Sequence, residues 1–118
     1  MAWEINSDRP VYLQLMEEIE RRIISGVYKA GDKVPAVREL ALEAAVNPNT
    51  MQKALSELER NGLIFSHRTS GRFVTEDESL IKTIRAELSD RITAEYIDSM
   101  RKLGLSDEEI LQAVNNNK

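Results

Sequence analysis

A mainly α fold with one small β-hairpin is predicted by three observations. Two short apolar stripes of helical period meet at a tight Val46-Asn47-Pro48 corner. Directly after them the period drops from 3.6 to 2 in two β-rich runs, residues 63–65 and 72–75, separated by the turn residues Arg68-Thr69-Ser70-Gly71. A third stripe, far longer than the other two, then runs through Leu80, Ile84, Leu88, Ile92, Tyr96 and Met100.

Each element follows from local chemistry. Ser7-Asp8-Arg9-Pro10 offers a polar capping oxygen and a proline suited to a first helical turn. A helix follows with Leu15, Ile19 and Ile23 on one face and Glu17, Glu18, Arg21 and Arg22 on the other. It stops at Ser25-Gly26, where glycine accepts the left-handed cap. Residues 27–35 read as an extended connector with a Gly31-Asp32 turn, because Pro35 forbids helix. Val37, Leu40, Ala41 and Ala44 mark a second helix running to about Ala45. Asn47 as cap and Pro48 at the first position start a third, whose stripe Met51, Ala54, Leu55 and Leu58 ends at Asn61-Gly62.

Two short helices with a tight corner form a helix-turn-helix, and a hairpin directly behind it is the plan of a winged helix. The acids of Thr75-Glu76-Asp77-Glu78-Ser79 favour a helix N-terminus. The long stripe beyond them covers some 24 residues, about 36 Å of helix. Gly104 ends it. Ser106-Asp107-Glu108-Glu109 has the form of a capping box for a last short helix with Ile110, Leu111 and Val114 apolar, and residues 115–118 are expected to fray. The predicted organisation is a winged helix-turn-helix over residues 1–76 and a two-helix C-terminal region over 77–118.

With 118 residues, 42% of them hydrophobic and 31% charged, the chain falls outside the disordered and membrane classes. Chains of this size hide only about two-thirds of their unfolded surface, so a surplus apolar helix face is better covered by a second copy than left wet. Met1-Ala2-Trp3-Glu4-Ile5-Asn6 lacks the basic-then-apolar run of a signal peptide, and no apolar stretch nears the roughly 20 residues that span a bilayer. A cytoplasmic protein without membrane attachment is expected.

The net charge of −4 is unevenly placed. Residues 1–75 carry ten basic and ten acidic side chains, whereas residues 76–118 carry six and ten. Between Arg60 and Thr75 there are three arginines and a histidine with no acid. A phosphate backbone meets this local field and not the total charge.

The residue types then suggest a partner. With the third helix's stripe turned inward, Asn49, Thr50, Gln52, Lys53 and Ser56 are left outside near its N-terminus. Asn and Gln can bond an adenine edge, Thr offers a hydroxyl or methyl, and Lys reaches guanine or phosphate. Asn47 caps this helix, whose N-terminus is expected to aim free backbone N–H groups at phosphates. Arg38 lies outside its helix's stripe and is expected opposite Leu42, pointing toward DNA; the competing reading is an ion pair with Glu39 or Glu43. On the hairpin, Arg68, Thr69, Ser70 and Arg72 suit a minor groove or phosphates.

Catalysis finds no support. There is no cysteine, the single histidine His67 has no partner for a metal site, and paired acids such as Glu17/Glu18 or Asp107/Glu108 sit where solvation and capping explain them. The glycines form no phosphate loop. No enzyme, metal, cofactor or small-molecule effector is assigned.

The segments Pro10-Val11-Tyr12-Leu13-Gln14-Leu15, Ile24-Ser25-Gly26 through Pro35-Ala36-Val37-Arg38-Glu39-Leu40-Ala41, Val46-Asn47-Pro48-Asn49-Thr50-Met51, Leu58-Glu59-Arg60-Asn61-Gly62-Leu63-Ile64 and Gly71-Arg72-Phe73-Val74 resemble the GntR superfamily of bacterial transcription regulators. The resemblance covers about residues 8–76. Two features depart from it: Ala36 stands where the family usually has serine, and the hairpin tip reads His67-Arg68-Thr69-Ser70-Gly71-Arg72 instead of a glycine-richer form.

The short C-terminal region is similar to the YtrA-like subfamily. That resemblance implies a homodimer joined through a small helical region, acting on double-stranded operator DNA as a repressor. Leu80, Ile84, Leu88, Ile92, Tyr96 and Met100 are the dimerisation candidates, since a long apolar stripe on a monomer is a liability. The expectation is therefore a homodimeric regulator that places its third helix in the major groove of each half of a palindrome. The competing reading is a winged helix that binds a protein instead, supported by the acidic total charge.

Overall fold

A computed structural model describes residues 3–118; Met1 and Ala2, the start of the expected first domain, lie outside the described residues. The elements are α1 (Val11–Ile24), α2 (Val37–Ala44), α3 (Pro48–Arg60), β1 (Ile64–His67), β2 (Gly71–Val74), α4 (Glu78–Lys102) and α5 (Asp107–Asn116). No helix among the described residues is long and apolar enough to cross a membrane. The chain forms two compact units that divide after Lys82. The first turn of α4 belongs to the first unit: Ile81 is buried, and Leu80 Cδ2 lies 3.5 Å from where a β-carbon on Gly62 would stand.

The core of the first unit is made by Leu15, Ile19 and Ile23 of α1, Leu40 of α2, and Met51, Leu55 and Leu58 of α3, closed by Val34, Leu63, Ile64 and Val74. These are the stripes the period identifies. The entry to α1 differs from expectation: Pro10 itself occupies the cap position and no side chain caps the helix. Instead the buried Gln14 amide holds the preceding loop, accepting from Asn6 N–H at 2.9 Å and donating to the carbonyls of Asn6 and Arg9 at 2.8 and 3.0 Å.

A charge is buried in the same unit. Arg22 is only 4% exposed. Its guanidinium donates to Glu18 at 3.0 Å, to Glu43 at 3.4 Å and to the Tyr28 hydroxyl at 2.9 Å, and lies 4.4 Å from the centre of the Trp3 ring. Burial alone would lower its pKa, but the bonds from Tyr28, Glu18 and Glu43 outweigh that and raise it, so the group stays charged. This cluster ties α1, the connector and α2 together.

The connector is more than a spacer. Gly31 N–H donates to Val74 O at 3.1 Å, Val34 N–H to Arg72 O at 2.8 Å, and Val74 N–H to Asp32 O at 2.8 Å, while Lys33 bridges Phe73. The hairpin therefore has a partner along its β2 edge that only distant pairing reveals. Within the hairpin, Ile64 pairs with Val74, Phe65 with Phe73, Ser66 with Arg72 and His67 with Gly71. Alternation puts Ile64, Val74, Ser66 and Arg72 on one face and Phe65, Phe73 and His67 on the other. His67 sets its ring edge-on to both phenylalanines, at 5.1 and 5.0 Å.

The first of these faces clamps onto α3 through Glu59. Ser66 Oγ and Arg72 Nε both donate to Glu59 Oε1 at 2.6 Å. The Ser66 bond, opposed by partial burial and helped by Arg72, holds the Glu59 carboxyl below its ordinary value of 4.5.

In the second unit the Ser106 capping box is formed, with Ser106 N–H donating to Glu109 Oε1 at 2.9 Å and Glu109 N–H to Ser106 Oγ at 3.2 Å. Where residues 115–118 are expected to fray, helix continues to Asn116 and Asn117 Nδ2 donates to Ala113 O at 2.8 Å. The stripe on α4 is not one straight face. Residues four apart advance about 40° round the helix at each step, so Leu80 and Met100 end about 200° apart. Along it, Leu80, Ile84, Leu88 and Met100 are partly covered while Ile92 is 63% and Tyr96 37% exposed.

Two outcomes follow from these local geometries. Ala45, at the end of α2, sits in the left-handed region at φ 58° and ψ 48°. A side chain there costs about 1–2 kcal/mol and glycine's extra entropy returns about 0.5–1, so Ala45→Gly is expected to stabilise by up to about 1 kcal/mol in chemical denaturation. For Glu59, a depressed folded pKa means stabilisation present above pH 4.5 and lost as pH falls through the folded value. Wild type is expected to unfold at a higher temperature than Glu59→Gln near neutral pH, with the two midpoints converging as pH drops below about 4.5.

Candidate nucleic-acid interface

The corner between α2 and α3 positions the site. Ala45 turns the chain, Asn47 Oδ1 accepts from Asn49 N–H at 2.7 Å, and Pro48 enters at the first helical position. With Met51, Ala54, Leu55 and Leu58 fully buried, the opposite face of α3 is a line of Asn49, Lys53, Ser56 and Arg60 within about 60° of one another. Thr50 and Gln52 are on opposite flanks of this line and do not share one face. Thr50 is half-buried, whereas Gln52 is exposed and donates to Ser56 Oγ at 3.5 Å.

Neighbours orient the cations. Lys53 Nζ lies 4.0 Å from the centre of the Tyr12 ring, a cation–π contact that leans it toward α1. Arg60 pairs with Glu57 at 3.6 Å, and Glu43 is taken by Arg22. Arg38 is exposed and has no ion-pair partner among the described residues, so neither Glu39 nor Glu43 claims it. It is not opposite Leu42, as expected, but shares a face with it, because residues four apart are neighbours on a helix. Together with Ala41, Ala45, Val46 and Pro48 they line a shallow, mostly apolar recess at the corner, where Leu42 is 83% exposed.

On the hairpin, Arg68, Thr69 and Ser70 are exposed at the tip, as a wing would present them. Arg72 is two residues lower and is held by Glu59, which makes it a brace between wing and α3.

The donors expected at the start of α3 are already used: Pro48 has no N–H, Asn49 N–H bonds the Asn47 side chain, and Thr50 N–H bonds Asn47 O at 3.0 Å. The start of α2 is different. Ala36 supplies no side-chain cap, and the first-turn N–H groups of Val37, Arg38 and Glu39 have no acceptor among the described residues. That turn, with Lys33, Pro35, Gly71 and Arg72, lines a groove between α2 and the wing. Helix N–H groups beside a lysine favour an anion. Lys33 is a candidate that sequence reasoning missed, since only its bridge to Phe73 brings it beside the wing, where its Cε lies 3.2 Å from the β-carbon position of Gly71.

The family model of bacterial regulatory proteins, gntR family, matches residues 11–74. The HTH-type transcriptional regulator YhcF of Bacillus subtilis is 34% identical over 111 residues, covering 94% of this chain and 92% of its own. The HTH-type transcriptional repressor YtrA of the same organism is 42% identical over 71 residues, 60% of this chain and 55% of that relative. Among solved structures, a GntR family transcriptional regulator from Listeria monocytogenes matches with a TM-score of 0.89 at 37% identity, covering 95% of this chain and 98% of the other. AraR(DBD) in complex with operator ORX1 matches with a TM-score of 0.55 at 29% identity, covering 64% of this chain and 99% of the other. The matched segment runs from α1 to β2, the elements that build this surface, and the chain belongs to the gntR family of bacterial regulatory proteins, transcription regulators and not enzymes, with YtrA among its relatives.

Proposed function

We propose that the chain is a transcription repressor that binds a palindromic operator as a homodimer, each copy laying α3 in the major groove of one half-site. One observation carries the reading: α3 has its whole apolar face buried and offers a polar line, Asn49, Lys53 and Ser56, beside an unpaired Arg38 and a basic wing tip. In this arrangement Asn49, Lys53 and, from the flanks, Thr50 and Gln52 meet base edges, while Asn47 fixes the start of the helix. Arg38, Lys33 and the first-turn N–H groups of α2 take phosphates. Arg68, Thr69 and Ser70 approach the minor groove or its backbone, and Arg72 keeps the wing in place.

The operator-bound AraR(DBD) supports docking by this kind of surface, and the repressor YtrA supports the sign of regulation. Two-fold symmetry would set half-sites about one helical turn apart, roughly 10 base pairs, or a multiple of it. A second reading, a winged helix that docks a protein, is favoured by the exposed Leu42 at the corner recess.

A shift assay on the protein's own promoter region, titrated with salt against unrelated DNA, separates the two. Operator binding is expected to fall on the order of a thousandfold between about 50 and 200 mM salt through counterion release, with footprints symmetric about a centre. Equal, weak binding to both DNAs would favour the protein-docking reading. On the operator so defined, Arg38→Ala is expected to cost about 1–3 kcal/mol of binding with an unchanged unfolding midpoint. Wild-type affinity in that variant would remove Arg38 from the site.

A further inference from the structure

The outward line of α3 has one cation whose position another helix sets. Lys53 is at the middle of that line: the fully buried Met51 and Leu55 are each about 160° round the helix from it, and Asn49 is about 40° away. It is exposed, and among the described residues no carboxylate pairs with it. Its ammonium instead stands 4.0 Å from the centre of the Tyr12 ring, in the first turn of α1. The ring is itself anchored. Tyr12 is half-buried and comes three and seven residues before Leu15 and Ile19, neither of which has exposed surface, so it shares their face of α1.

We infer that Tyr12 is a positioning residue that sets the base specificity of Lys53, by holding its ammonium at one point so that it selects a guanine edge. The inference rests on the DNA-binding reading above and adds to it what makes a flexible side chain selective. A lysine stem in water samples many rotamers, and a mobile ammonium finds a phosphate beside every base pair, which carries no sequence information. An ammonium over a ring is attracted through the ring's face, and the N–H groups turned away from the ring stay open to acceptors. Guanine presents O6 and N7 side by side in the major groove, two acceptors for a cation held in one place. The aromatic ring, with few rotatable bonds and a buried helix face beneath it, supplies the fixed platform that the lysine lacks.

The test is affinity for the operator and for sites that each change one base pair, measured for wild type, Lys53→Ala, Tyr12→Leu, Tyr12→Phe and Tyr12→Leu combined with Lys53→Ala. Thermal unfolding by circular dichroism checks each fold. Lys53→Ala is expected to cut the preference for one G·C pair in each half-site by about ten- to a hundredfold. Tyr12→Leu keeps the lysine's charge, yet is expected to cut the preference at that same pair by about three- to tenfold and to leave the other pairs unchanged. Tyr12→Phe retains the ring and is expected to stay within about twofold of wild type. In the Lys53→Ala background, Tyr12→Leu is expected to cost nothing further.

Four results would overturn the inference: wild-type discrimination in Tyr12→Leu, an equal loss at every site, a cost that adds in full to that of Lys53→Ala, or a Tyr12→Phe as poor as Tyr12→Leu. A second measurement needs no change at Tyr12. Protons on the Lys53 Cε held over the ring are shifted upfield in NMR spectra and are expected to remain so on the operator; loss of that shift in the complex would overturn the inference as well. A wild type that prefers no site over unrelated DNA would overturn the DNA-binding reading, and the role of Tyr12 with it.

Discussion

Four side chains of α3, Met51, Ala54, Leu55 and Leu58, have no exposed surface, and that commitment governs the rest of the first unit. A helix with one face buried against α1, α2 and β1 has no freedom to rotate about its axis. Its opposite face, with Asn49 and Lys53, is therefore presented at an angle that the buried face fixes. Burying two leucines, a methionine and an alanine supplies several kcal/mol from apolar area, far more than the polar contacts around them. The corner that precedes the helix works in the same direction. Asn47 and Pro48 determine where α3 starts, and Ala45 accepts a strained backbone to make the turn.

Ion pairs in this protein position elements more than they add stability. Arg22, removed from water, is satisfied by two carboxylates, a hydroxyl and two aromatic rings, and it joins α1 to the connector and α2. Glu59 does the same for the wing, where Ser66 and Arg72 converge on one carboxylate oxygen. Exposed pairs such as Lys102 with Asp98 or Arg101 with Asp107 are in a different class, screened by solvent and worth little. The arginines divide accordingly: Arg22 and Arg72 are held in ion pairs within the first unit, whereas Arg38 and Arg68 are exposed.

The long helix shows how a periodic stripe misleads when its step is four instead of 3.6. Six apolar residues in a row of that spacing look like one face on paper, yet they wind through more than half a turn. Their two ends therefore serve different surroundings. Leu80 lies over Gly62 in the first unit, while Met100 lies at the end of α4 that precedes α5. Between them Ile92 is 63% and Tyr96 37% exposed, whereas Ile84 and Leu88 are partly covered.

The sequence by itself determined the order and kind of every element, the core stripes of α1, α2 and α3, the capped corner, the Ser106 capping box and the polar character of α3's outer face. These are legible because each depends on residues within one or two turns of each other: periodicity, a cap and a proline act locally. What only the tertiary structure decided depends on pairing across the chain. The connector's bonds to β2 bring Lys33 beside the wing from some forty residues away, Glu59 claims Arg72, and Lys53 leans on Tyr12. The anion-ready helix start moved from α3 to α2 for the same reason, since Asn47 consumes the donors of one while Ala36 leaves those of the other open. A side chain's local sequence states what it can bond. Which partner reaches it first is settled only when distant segments pack.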